Sequence, residues 1–78
     1  MTYEDLRTQF GAEKICAVLG VGRTTESNWH SGKLIPPLKY LYMLKVRWPA
    51  LDLNSTILAM CEKHNRYCIS RGQPGLLD

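Results

Sequence analysis

The sequence predicts an all-α fold: one compact domain of five short helices. Three observations lead there. Glycine and proline at Gly11, Gly20, Gly32, Pro37, Pro49 and Gly72 cut the 78 residues into short segments. Within those segments apolar residues recur at the three- and four-residue intervals of a helix. Alternation with a period of two never runs long enough to define a strand. The stretch "YLYMLKV", Tyr40 to Val46, comes nearest, because Tyr and Val favour strands.

Each helix has its own signals. Thr2 is a good N-cap, and Asp5 three residues later completes a box-like pattern with a shorter acid than usual. Tyr3, Leu6 and Phe10 then share one face, and Gly11 ends the helix where a left-handed residue is needed. The second helix runs from Ala12 to Leu19 with Ile15, Cys16 and Leu19 inward, and Gly20 closes it. Val21 plugs the turn, and Gly22 caps a third helix from about Arg23 to His30. That helix is polar, with Trp29 as its main apolar contact and Gly32 as its stop. Pro37 suits the first position of a fourth helix, which carries Leu38, Leu41, Tyr42 and Leu44 and ends at Pro49 near Trp48. Asp52 or Asn54 caps a fifth, from about Ser55 to Ser70. Its apolar stripe is Ile57, Met60, Cys61, Tyr67 and Cys68, with His64 among them. Residues 1–72 therefore form the domain, and residues 73–78 read as a flexible tail.

Hydrophobic residues make up 45% of the chain, enough for a core and too many for a disordered polymer. A core this small gives marginal stability, so an oligomer interface would help. The net charge of +3 is mildly basic, and its distribution says more than its size. Between Arg23 and Arg47 the cations are Arg23, Lys33, Lys39, Lys45 and Arg47, and the only acid is Glu26. A basic middle in a balanced chain points to a polyanionic partner. Cys16, Cys61 and Cys68 are an odd, sparse set, unlike a secreted disulfide framework. The start, "MTYEDLRTQF", is no signal peptide, and no apolar run reaches the ~20 residues of a membrane span. A soluble, cytoplasmic protein is expected.

Catalytic signatures do not appear. The sequence has no phosphate loop, paired-carboxylate site or hydrolase elbow, so neither enzyme activity, a cofactor nor a small-molecule substrate is expected. Cys61, His64 and Cys68 share a helical face at spacings of three and four. Structural zinc usually draws paired ligands from separate elements, so these three read as a packing stripe with free thiols, not a metal site.

Two short helices joined by a glycine turn, the second polar outward, make the helix-turn-helix pattern. In it the second helix enters the DNA major groove with its N-terminal residues toward base edges. The stretch "FGAEKICAVLGVGRTTESNWHSGKLIPP" resembles the helix-turn-helix domains of the lambda-repressor and Cro group of phage and bacterial regulators. The shared features are Phe10-Gly11, Leu19-Gly20-Val21, Trp29, Gly32 and Ile35-Pro36. The resemblance spans Leu6 to about Leu44, roughly half of the chain. It implies a lambda-repressor-like domain with a C-terminal helix, acting as a repressor in a bacterial or phage-infected cell.

Three positions depart from the family pattern. Cys16 stands where Ala is usual, Gly22 where Ser or Thr is usual, and Glu26 where a buried Val or Ile is usual. A carboxylate cannot be buried there without a partner. Three readings are open: the helix is rotated or shifted, Glu26 reaches Lys14 or Arg23, or Glu26 accepts from a cytosine. The first two are favoured together.

Carried over by position, the resemblance implies base contacts from Arg23, Thr24, Ser27 and Asn28. Arg23 suits guanine and Asn28 suits adenine, each through a bidentate pair. Lys14, Thr25, His30, Ser31, Lys33 and Lys39 are the phosphate candidates. Trp29, Phe10 and Ile35 are expected in the core. The expected partner is a double-stranded DNA operator with two-fold symmetry, bound by a homodimer with half-sites one helical turn, ~34 Å, apart. The dimer surface is expected between Trp48 and Cys68. The competing reading is a protein-interaction module with the same fold that does not read DNA.

Overall fold

The structure, a computed structural model, describes residues 1–75 and is all-helical as the sequence predicts. Five helices follow in order: α1 Tyr3–Phe10, α2 Ala12–Leu19, α3 Arg23–Ser31, α4 Leu38–Arg47 and α5 Leu53–Ser70. No strand occurs among the described residues, and "YLYMLKV" lies in α4. No helix among them is long and apolar enough to cross a membrane.

Local chemistry sets the ends. Thr2 and Asp5 form the reciprocal box: the Thr2 N–H donates to Asp5 Oδ2 at 2.8 Å, and the Asp5 N–H to Thr2 Oγ1 at 3.4 Å. Asp52 caps α5, accepting from the Ser55 N–H at 3.0 Å and the Ser55 hydroxyl at 2.8 Å. Those two bonds hold its carboxyl below the usual range. The fifth helix thus starts at Leu53, two residues earlier than expected. Pro37 serves as the N-cap of α4 and not as its first helical residue.

Helix α2 is the hub, packing on α1, α3 and α4, while α5 closes the molecule against α3. The core draws Tyr3 and Leu6 from α1, Ile15 and Leu19 from α2, Trp29 from α3, Leu41 and Leu44 from α4, and Met60 from α5. Trp48 and Leu51 complete it from the connection between α4 and α5. Trp29 is buried as expected, its ring tilted against Tyr40 at 5.3 Å. Phe10 and Ile35 are not: they remain 40% and 37% exposed. Phe10 ends α1 and covers the edge of the core, 5.4 Å from the Trp48 ring. In the exit loop Pro36, not Ile35, takes the inward place.

Within the stretch expected to form a dimer surface, five residues turn into the protomer's own fold, while Leu58 stays 64% exposed. Trp48, Leu51, Thr56, Met60 and Cys68 are all buried. Thr56 accepts the Tyr3 N–H at 3.1 Å. Residues 76–78 of the expected tail lie outside the described residues; Gly75 sits against Asn65 and Ile69 of α5.

Candidate nucleic-acid interface

The residues singled out as contact candidates centre on α3, so what fixes α3 matters first. Three residues, Gly20-Val21-Gly22, turn the chain from α2 into α3. Gly20 is left-handed (φ 69°, ψ 31°), a conformation that disfavours any residue with a Cβ. Its N–H and that of Val21 both close on the Cys16 carbonyl, at 2.8 and 3.1 Å. The turn is therefore tight and internally bonded.

Glu26 resolves in a way the sequence reading did not foresee. The helix is not rotated away: Glu26 is fully buried. Its partners are neither Lys14 nor Arg23. Arg7 of α1 donates from Nε to Oε2 at 2.9 Å and from Nη2 to Oε1 at 3.2 Å, and the Tyr3 hydroxyl donates to Oε2. Burial alone pushes the carboxyl upward in pKa. The hydrogen bonds from Arg7 and Tyr3, with the Arg7 charge, outweigh it and hold Glu26 below the usual range. Burial and the same carboxylate push the Tyr3 phenol far upward, so it stays a donor. A carboxylate where an aliphatic was expected thus ties α3 to α1.

The other end of α3 is tied to α5. Lys63 Nζ donates to the His30 carbonyl at 2.8 Å, and His64 Nδ1 lies 2.8 Å from the Gly32 carbonyl. These two side chains occupy carbonyls that a helix end leaves open. Gly32 is left-handed (φ 88°) and pressed on α5: a Cβ there would meet Lys63 Cγ at 2.6 Å and the Lys63 carbonyl oxygen at 2.9 Å. Gly32→Ala is therefore expected to cost about 1–3 kcal/mol, from left-handed strain and the backbone clash together. The urea midpoint measures it, and an unchanged midpoint would mean that α5 can back away freely.

With Glu26 and Trp29 inward, the opposite side of α3 is polar. Arg23, Thr24 and Ser27 are exposed and Asn28 is half-buried. Arg23, Thr24 and Ser27 line one shallow concavity together with Glu26 and Arg7. Arg7 is the member that the sequence reading missed. Its signal was the i, i+4 spacing from Tyr3, which sets a hydroxyl and a guanidinium side by side on α1. Arg23 Nη1 is 3.2 Å from Glu13 Oε1 of α2, both side chains well exposed.

The phosphate candidates divide. Lys14 is exposed on α2, Lys33 on the exit loop and Lys39 in the first turn of α4, and Thr25 is half-buried on α3. Ser31 turns its hydroxyl inward to the Asn28 carbonyl at 3.2 Å. His30 does not join the outward face: its Nδ1 lies 2.9 Å from Glu4 Oε1 of α1. Lys45 is engaged too, donating to the Pro49 and Leu51 carbonyls at 2.7 and 2.8 Å.

Among the described residues no group of three or more His, Cys, Asp or Glu side chains is arranged to hold a metal ion. His64 Nε2 is 3.5 Å from Cys68 Sγ, and its other nitrogen is at Gly32. No protein-family model, curated protein or solved structure matches the chain.

Proposed function

We propose that the chain is a sequence-specific DNA-binding transcriptional regulator of the repressor type, working in the cytoplasm without a cofactor. One observation carries the reading. Helix α3 is short and polar, yet it is fixed at both ends, by Arg7 and Tyr3 on Glu26 and by Lys63 on His30. Its outward side offers hydrogen-bonding groups that contribute little to the fold. A rigid, polar, outward helix after a tight glycine turn suits the major groove.

In this reading Arg23 reads guanine and Asn28 adenine, while Thr24 and Ser27 contact a thymine methyl, a base edge or a phosphate. Lys14, Thr25, Lys33 and Lys39 hold the phosphate backbone. The chain acts as a homodimer on a two-fold operator and lowers promoter access by occupying it.

The test starts from selection of bound duplexes out of a random pool. An enriched palindromic site is expected, with affinity that falls steeply as salt rises, because phosphate contacts release counterions. Lys33→Ala should weaken all sequences alike and reduce the salt slope by about one. No enriched sequence, or binding indifferent to salt, would favour a protein-interaction module instead.

A further inference from the structure

Helix α4 is apolar on two sides, and only one of them is used. Leu41 and Leu44 fill the core. On the outer side Leu38, Tyr42 and Val46 follow at intervals of four, 70%, 66% and 60% exposed, with Met43 beside them. Leu38, Lys39 and Tyr42 border Leu53 of α5 in one depression; Tyr42, Met43, Val46 and Arg47 border Val18 of α2 in the next. One continuous apolar face results.

We propose that a second copy of this chain docks on this face, the two α4 helices antiparallel across a two-fold axis at Tyr42. The proposal rests on the DNA-binding reading for its purpose, the supply of a second α3, but not for its geometry.

The stripe matches itself. An isologous interface needs a surface complementary to its own copy. Centred on Tyr42, the antiparallel register sets Leu38 against the partner's Val46 and Tyr42 against the partner's Tyr42. Aliphatic meets aliphatic at both ends, and aromatic meets aromatic in the middle.

Charge permits the pairing. Helix α4 carries Lys39, Lys45 and Arg47 and no acid, so like charges would oppose a self-pair if they faced the seam. Lys39 and Arg47 border the two depressions, but the charged end of each lies over a ring of its own chain. Lys39 lies over the Tyr40 ring and Arg47 over the Trp48 ring, both at 5.0 Å. Lys45 is bonded to the Pro49 and Leu51 carbonyls.

Size sets the strength. The stripe offers on the order of 400 Å² per copy, enough to mark an interaction surface but about half of what each partner gives a standard interface. A weak, concentration-dependent dimer follows, tightened when both copies hold one duplex.

Sedimentation equilibrium of the full chain tests this. The expected result is a concentration-dependent dimer that Tyr42→Glu weakens at least ~10-fold with the thermal midpoint unchanged. Leu58→Glu, on an exposed apolar residue of α5, should leave it intact. Leu38→Glu and Val46→Lys should each weaken the dimer, and a chain carrying both should regain it, because the register places each against the other's position on the second copy. A monomer at every concentration, or a dimer indifferent to Tyr42→Glu, overturns the proposal. So does a monomeric chain whose α4 face binds anionic lipid vesicles. Binding to a single half-site separates the two readings. A dimer that binds no duplex keeps this interface and ends the DNA reading. A monomer that binds half-sites with a steep salt slope does the reverse.

Discussion

Glu26→Ala is expected to destabilise the protein by about 3–5 kcal/mol, the cost of breaking a buried pair by removing one partner. Arg7 Nε and Nη2 lose their acceptors, and the Tyr3 hydroxyl is left buried without one. Arg7 keeps 28% of its side chain exposed, so water can recover part of its loss, and the lower end of the range applies. For a domain of this size that lowers Tm by about 12 °C or more. Tyr3→Phe, Arg7→Leu and Glu26→Ile combined should regain most of the stability, since a packed apolar cluster often equals or exceeds a buried ion pair. A thermal midpoint of Glu26→Ala within a degree or two of wild type would show that α1 and α3 are held by packing alone.

The same carboxylate gives stability a pH dependence of definite sign. Its pKa in the folded state lies below the unfolded value, so the stabilisation is complete at neutral pH. It is lost as the pH falls below the usual 4.5 toward the folded-state value. Glu26→Gln carries no charge at any pH. The gap in unfolding free energy between wild type and Glu26→Gln should therefore narrow as the solution is acidified. Asp52 contributes with the same sign, and taking the difference between the two proteins cancels it.

Arg23→Ala has the largest expected effect on binding. It should weaken association with the selected operator by about 1–3 kcal/mol, or about 5- to 150-fold, and relax preference at one base pair. The fold should not notice. The contact Arg23 makes with Glu13 is solvent-exposed, and such pairs contribute at most ~1 kcal/mol. Glu13→Gln should move affinity the other way, by releasing Arg23 and removing an acid from the approach to phosphate. Fluorescence anisotropy against the operator and its single-base variants measures all of this. If Arg23→Ala binds and discriminates like wild type, α3 is not the reading element.

The helices and their ends were legible because their causes are local. Thr2 with Asp5, Gly20, Gly32 and Asp52 act within one turn of themselves and perform the predicted duty; Gly11 ends α1 with a positive φ of 87° but a ψ of 154°, outside the left-handed helical conformation. The partner of Glu26 was not legible, because it depends on how α1 crosses α3, nineteen positions away in the chain for Arg7. Nor could periodicity rank the two stripes of α4. Leu38, Tyr42 and Val46 are as regular as Leu41 and Leu44, and only the position of α2 decides which goes inside. Phe10 and Ile35 failed for a related reason: each stands beside a chain stop, where the helical period no longer says which way a side chain points.

The double mooring of α3 has a thermodynamic consequence. A helix already held by Arg7, Tyr3, Lys63 and His64 has little conformational freedom left to surrender when a duplex arrives. In the proposed complex, ordering costs that weaken many associations would then be small on its side. The heat-capacity change of association should then match surface burial alone, with no added component from coupled folding. If α3 reads DNA as proposed, a stiff reader would shift the adjustment to the duplex, and bases that α3 never touches would influence affinity through how readily they bend.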